Sequence, residues 1–96
     1  MISKETMRIV LLAAKMLLDR REALVRSIEW DIKMRADVAE RGKSAGARTR
    51  AQGKIVKLRE ELSKARDAAS EIHNAIKELR ATEVGAEVWK ELESKQ

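Results

Sequence analysis

The sequence predicts an all-α protein: a long antiparallel helical hairpin that resembles a coiled coil, followed by a short third helix. The chain of 96 residues has no Pro and only four Gly, so it has little of the chemistry that tight turns require. Charged residues make up 39% of it, which is typical of long helices and coiled coils. The apolar residues recur every three or four positions, which is the period of a helix.

The first helix is expected at about residues 4–41. Ser3 can cap its start, with Glu5 in the first turn, and Arg41 followed by Gly42 is typical of a helix end. A main apolar stripe runs along this helix: Met7, Val10, Leu11, Ala14, Leu17, Leu18, Leu24, Val25, Ile28, Ile32, Val38 and Ala39.

The second helix is expected at about residues 50–81, after a basic loop at about residues 42–49. Thr49 and Gln52 match a capping box at its start, and Ser44 is an alternative cap. Spacings of four and three residues alternate along an apolar seam, as in a coiled coil: Ala51, Ile55, Leu58, Leu62, Ala65, Ala69, Ile72, Ile76 and Leu79. Two such helices joined by a short loop are expected to run antiparallel.

A short third helix is expected at about residues 83–94, because the seam loses its phase after Leu79. Thr82 and Gly85 indicate a break or kink there, and Val84, Val88, Trp89 and Leu92 would form the apolar side of the new helix. No repeat or second domain is visible, so residues 1–96 are expected to form a single helical domain.

The first helix also carries a second, largely apolar stripe, about 130° around the helical wheel from the first, in which two members, Arg20 and Ser27, are polar. The hairpin partner can cover only one face, so something else should cover this one. The alternatives are the third helix, with Trp30 buried against Trp89, or self-association into a dimeric or larger bundle, or a different partner protein. The predicted oligomer or partner interface comprises Ile9, Ala13, Met16, Ala23, Trp30, Met34 and Trp89.

Three charged residues, Arg21, Asp31 and Arg35, fall where the main stripe should be apolar. Buried charges are costly unless they are paired. Either these residues pair or extend to solvent and specify the helix register, or they form a polar pocket for an anionic ligand.

The positive charge is concentrated around the loop. The net charge is +5, and no acidic residue lies between Glu40 and Glu60, whereas the rest of the chain has fewer bases than acids. The predicted site for an anion or nucleic acid therefore comprises Arg41, Lys43, Arg48, Arg50, Lys54, Lys57 and Arg59.

Part of this basic segment has no obvious folding role. Arg41 and Lys43 suit a helix C-terminus, but Arg48, Arg50 and Lys54 crowd an expected helix N-terminus, where folding favours acids. Free backbone amides and bases there can bind phosphate. The alternatives are a solvated loop that aids solubility, a nucleic acid or other phosphate-rich ligand, and an acidic protein surface. Without aromatic residues, contacts to a nucleic acid would go to its backbone.

Catalysis and metal binding find little support in the sequence, so we expect no enzyme and no cofactor. There is no Cys, and the single His73 has no second imidazole with which to hold a metal ion. The tripeptide at residues 42–44 lacks the earlier glycine of a phosphate-binding loop. The apolar run at residues 9–14 is too short to span a bilayer, and Lys15 ends it without a convincing cleavage site. A cytoplasmic protein with no membrane partner is expected.

Residues 17–25 resemble the first helix of the small all-helical chorismate mutases, which bind a dianionic substrate with Arg and Lys. The resemblance implies a helical bundle with an anion pocket, but residues 83–95 give no adequate counterpart of the family's long third helix. The size and two-helix architecture also resemble small phage-encoded regulators, although no motif supports that likeness.

The sequence thus predicts a small non-enzymatic regulatory or accessory protein. It would be a self-associating hairpin whose basic tip, residues 41–59, binds nucleic acid or another phosphate-rich polyanion. The alternative is a protein–protein interaction module, such as an adaptor, a co-chaperone or an inhibitor of phage type. That module would act through the second stripe or the third helix.

Overall fold

The computed structural model describes residues 2–94, and within them the chain is all-helical. Three helices follow in order: α1 at Lys4–Arg41, α2 at Ala45–Arg80 and α3 at Glu83–Ser94, with no strand in the described range. Contacts group the residues into two compact units. The loop unit is Arg21–Asp67, and the terminal unit combines the described residues up to Arg20 with those from Ala68 onward.

Helix α1 begins and ends at the residues that the sequence predicts. The Ser3 hydroxyl accepts a hydrogen bond of 3.1 Å from the amide of Thr6, which satisfies one of the free donors of the first turn. At the other end, the Gly42 amide donates to the Val38 carbonyl at 2.7 Å. A Cβ atom at residue 42 would lie 2.5 Å from that same oxygen, so glycine is needed here for clearance.

Helix α2 begins five residues earlier than predicted, at Ala45. The Thr49 capping box does not start the helix; the hydroxyl of Ser44 does, accepting a hydrogen bond of 3.0 Å from the Ala47 amide. Both caps are chemically sound, but the earlier one adds more than a turn of helical hydrogen bonds, and alanines at 45 and 47 favour that turn. The connection is therefore residues 42–44, and the predicted basic loop at 42–49 is wrong.

The break before α3 lies at Thr82, as expected. Its hydroxyl donates to the Leu79 carbonyl at 2.7 Å and accepts from the Gly85 amide at 3.0 Å. One side chain thus caps the start of α3 and satisfies a carbonyl at the end of α2.

Helix α3 packs into the core of the terminal unit. Met7, Leu11, Ile76 and Val88 are buried together, and half-buried side chains surround them: Ala14, Leu18, Ile72, Leu79, Val84, Trp89 and Leu92. Glu91 adds ion pairs with Lys4 at 2.7 Å and Arg8 at 2.6 Å. The apolar side predicted for the third helix is therefore its packed side.

In the loop unit, the buried side chains are Ile28, Ala51, Ile55 and Ala65. Its ion pair between Glu29 of α1 and Arg66 of α2 spans 3.5 Å. All nine seam residues of α2 are buried or half-buried, so the seam is the packed face of this helix. The antiparallel coiled-coil hairpin remains a prediction.

Candidate anion-binding groove

Three of the predicted basic residues line one groove in the loop unit. Arg50, Lys54 and Lys57 follow one another at spacings of four and three residues, so they lie on one face of α2. The groove has a volume of about 470 Å³. This basic groove is lined by Asp31, Arg35, Arg50, Gly53, Lys54, Lys57, Leu58 and Glu61.

Helix α1 contributes a charged pair to the basic groove. Arg35 Nε donates to Asp31 Oδ1 at 3.1 Å, and both residues are half-buried. This pairing accounts for two of the charges in the main apolar stripe, because each half-buried charge has a partner one turn away. Asp31 and Arg35 belong to the polar-pocket alternative of the sequence analysis and not to its predicted anion site. Arg21, the third charge, does not line this groove.

The bases that α2 contributes to the groove have no acidic partner among the described residues. Within residues 2–94, none of Arg50, Lys54 and Lys57 forms an ion pair with a carboxylate, and all three are exposed. Four bases and two acids line the groove, and Asp31 is already engaged by Arg35. The positive potential there is therefore available to an external anion.

In contrast to the groove bases, four bases of the terminal unit contact side chains of their own unit. Lys4 and Arg8 bind Glu91. The Arg80 guanidinium lies 4.5 Å and the Lys15 ammonium 5.8 Å from the centre of the Trp89 ring, within the range of cation–π attraction. These four bases stabilise the packing of the unit, a role that their positions along the chain do not reveal.

The other four predicted basic residues do not line the groove. Arg41 pairs with Asp37 at 3.6 Å, and Lys43 is exposed in the connection. Arg48 donates to the Gly42 carbonyl at 2.6 Å, which is a role in folding. Arg59 lines a separate cavity with Ile32 and Arg66, because two residues along a helix turn its side chain by about 200°.

The early start of α2 also changes the expected source of attraction for anions. Arg50 and Lys54 are the sixth and tenth residues of α2, and the free amides of a helix belong to its first turn. The expectation that these bases flank free backbone amides is therefore wrong. The positive charge at the groove is therefore that of the side chains and not of a helix N-terminus.

The second apolar stripe of α1 is exposed along its length. The exposed fractions are 65% for Ile9, 54% for Met16, 62% for Trp30 and 49% for Met34, and Ala13 and Ala23 are exposed as well. Trp89, the seventh predicted interface residue, packs against the terminal-unit core. The fold-back alternative required Trp30 to be buried against Trp89, but Trp30 is exposed.

Other functional features are sparse in the described part of the chain. No cluster of three or more His, Asp or Glu side chains within residues 2–94 is arranged to hold a metal ion. His73 is exposed on α2. None of the three described helices has a stretch that is both long and apolar enough for a membrane crossing.

Comparison with known proteins adds no relative: no protein-family model, curated protein or solved structure matches this chain significantly.

Proposed function

We propose that this protein acts by binding rather than by catalysis, as a small cytoplasmic regulatory or accessory protein. Its basic groove binds the phosphates of a nucleic acid or a similar polyanion. The observation that carries the proposal is the row of Arg50, Lys54 and Lys57 on one face of α2, exposed and without carboxylate partners in the described residues. Arg35 adds a fourth base from α1.

The exposure of the groove favours a chain-like ligand over a small anion. A small molecule bound there would stay largely in water, where a single pair of charges contributes little. A polyanion contacts several bases at once and releases its condensed counterions, so each phosphate contact adds to the affinity. Among the described residues, no aromatic side chain lines the groove, so the contacts go to phosphates and are independent of base sequence.

The protein is also proposed to self-associate as an antiparallel hairpin. Ile9, Met16, Trp30 and Met34 recur on one face of α1 and are about half or more exposed. Such a face is stabilised when a second copy covers it. The mass in solution is then at least twice 10.9 kDa, and light scattering measures it.

Replacing Met16 and Trp30 by Glu tests the oligomer, because like charges would face each other across an apolar interface. The double variant shifts toward a monomer. The control replaces Arg26 and Lys33 by Glu; both are exposed residues of α1 outside the stripe. This control variant keeps the wild-type mass in solution. A wild-type protein that stays monomeric at high micromolar concentration contradicts the proposal.

An electrophoretic shift assay with mixed nucleic acids at two salt concentrations tests the binding function. Converting Arg50, Lys54 and Lys57 to Glu abolishes the shift. The control converts three exposed bases outside the groove, Arg26, Lys33 and Lys77, to Glu; it changes the net charge equally and preserves most of the shift. A variant that swaps Lys for Arg and Arg for Lys at the three groove positions also keeps binding. Equal losses in both charge-reversed variants would reduce the effect to net charge and remove the groove from the proposal.

The second candidate is a protein–protein interaction module, and the exposure of Trp30 and Met34 favours it. Aromatic side chains and Met are enriched in protein interfaces. This candidate is distinguished by the surface that matters: the Met16 and Trp30 variant loses activity in the cell, while the groove variant keeps it.

A further inference from the structure

Gly53 is a glycine that the fold does not require. It is exposed in the third turn of α2, where glycine is the poorest helix former apart from proline. Gly42 and Gly85 have reasons within the fold: a Cβ atom would lie 2.5 Å from the Val38 carbonyl oxygen and 2.7 Å from Thr82 Oγ1, respectively. At Gly46 the nearest such atom would be Arg50 Nη1 at 3.5 Å, which is an ordinary contact. At Gly53 a Cβ atom would meet no described atom within 4 Å, apart from its chain neighbours and the adjacent backbone of its own helix.

The open space at Gly53 lies between bases. Arg50 precedes it by three residues and Lys57 follows it by four, so both are its neighbours on the same face of the helix, and all three line the basic groove. Because Gly53 has no side chain, the helix backbone is accessible between two cationic groups. Glycine occupies such positions where a ligand approaches the main chain closely.

The groove continues along α2 toward the start of the helix. A cavity of about 290 Å³ shares Arg35, Arg50 and Lys54 with it and includes Ala47 and Ala51. From Ala47 to Glu61 the lined surface follows α2 for about 20 Å at ~1.5 Å per residue. An elongated ligand fits a surface of this length.

We propose that Gly53 is the point of closest approach for a phosphodiester backbone seated in the basic groove. Arg50 and Lys57 contact phosphates on either side of it. This inference rests on the proposed function and adds the ligand's position. A protein ligand is less suited, because interfaces between proteins depend on apolar or aromatic anchors, and Leu58 is the one large apolar side chain that lines this groove.

Replacing Gly53 by Leu tests the inference without changing any charge. A leucine there occupies the open space, and its control is Gln52→Leu, which introduces the same side chain at an exposed neighbour that does not line the groove. Binding is followed by the anisotropy of a labelled duplex and a labelled single strand at low salt. Gly53→Leu weakens binding about tenfold, equal to about 1.4 kcal/mol, and Gln52→Leu leaves it unchanged.

Stability and salt dependence separate this effect from a folding defect. Gly53→Leu raises the melting temperature, because leucine is a far better helix former, and keeps the slope of affinity against salt, because the bases are intact. Gly53→Ala gives a smaller loss of affinity than Gly53→Leu.

The outcomes distinguish the inference from the proposed function. If wild type binds and Gly53→Leu binds equally well, the inference fails and the groove function stands. Equal losses in Gly53→Leu and Gln52→Leu also overturn it. If wild type binds neither nucleic acid at low salt, the proposed function fails, and the inference fails with it. Binding of an acidic polypeptide such as polyglutamate in place of nucleic acid overturns the phosphodiester assignment.

Discussion

Arg48 Nη1 donates a hydrogen bond of 2.6 Å to the carbonyl oxygen of Gly42. Residue 48 lies in the first turn of α2, and its side chain reaches back across the connection of residues 42–44. A carbonyl left over at the end of α1 is thereby satisfied, and a cation is placed where the dipole of that helix favours it. A base predicted to bind anions thus holds the two helices at their connection.

Arg48→Ala is therefore expected to act on stability. The loss of the bond should lower the free energy of unfolding by about 0.5–1.5 kcal/mol, measured by urea denaturation, with a small effect on nucleic-acid affinity. Arg59→Ala is the control, because Arg59 is exposed and should change stability by no more than about 0.5 kcal/mol. Loss of binding without loss of stability in Arg48→Ala would return Arg48 to the anion site.

Asp31→Asn should strengthen anion binding. The substitution removes a negative charge from the basic groove and releases Arg35, which Asp31 now holds at 3.1 Å. The expected gain is about twofold to fivefold, or about 0.4–1 kcal/mol, which is typical of charge pairs that remain partly in contact with water, measured by anisotropy at low salt.

Asp37→Asn provides the matched control for Asp31→Asn. It removes the acid of another pair in α1 spaced by four residues, with Arg41 at 3.6 Å, outside the groove. Its affinity should stay near that of wild type. If Asp31→Asn binds more weakly than wild type, Asp31 instead orients Arg35 for the ligand.

The attachment of α3 should weaken at acid pH through Glu91. Hydrogen bonds from Lys4 and then Arg8 lower the pKa of Glu91 from 4.5 to about 2. Since the folded pKa lies below the unfolded one, the stabilisation is present above about pH 4.5 and is lost as the pH falls toward 2.

Glu91→Gln should therefore lower the melting temperature at neutral pH and converge with wild type near pH 2. Melting curves followed by circular dichroism across pH 2–7 measure this difference. Glu87→Gln is the control, because Glu87 lies 4.0 Å from Lys4 and is more exposed. If the difference in melting temperature between wild type and Glu91→Gln stays constant down to pH 2, the role assigned to Glu91 is wrong.

Gly85→Ala should displace α3. A Cβ atom there would overlap the Leu79 carbonyl and lie 2.7 Å from Thr82 Oγ1, and backbone cannot move aside cheaply. The expected cost is about 1–3 kcal/mol, measured by urea denaturation. In a Trp30→Phe background, the fluorescence of Trp89 should shift to the red as the ring leaves the core. Gly53→Ala, with open space, should instead gain about 0.4–1 kcal/mol.

The sequence by itself determined that there are three helices and which faces of α2 and α3 pack. In the main stripe of α1, four predicted members are instead 40–45% exposed: Val10, Leu17, Leu24 and Val38. Helix α1 is bounded by Ser3 and Gly42, and Thr82 marks the break before α3, because capping hydrogen bonds and steric clearance involve residues a few positions apart. The seam from Ala51 to Leu79 could be read from its spacing, because the period of a helix decides which residues share a face. The exposed stripe with Met16 and Trp30 was visible for the same reason.

Only the tertiary structure decided which charges act together. Counting bases between Glu40 and Glu60 could not separate Lys57 from Arg59, which lie on different sides of α2, or show that Arg48 serves the connection. Nor could it bring Arg35 of α1 beside Arg50 and Lys54, or place Arg80 on Trp89. Attraction between charges depends on distance in space, and residues far apart along the chain acquire their distances only when the helices pack.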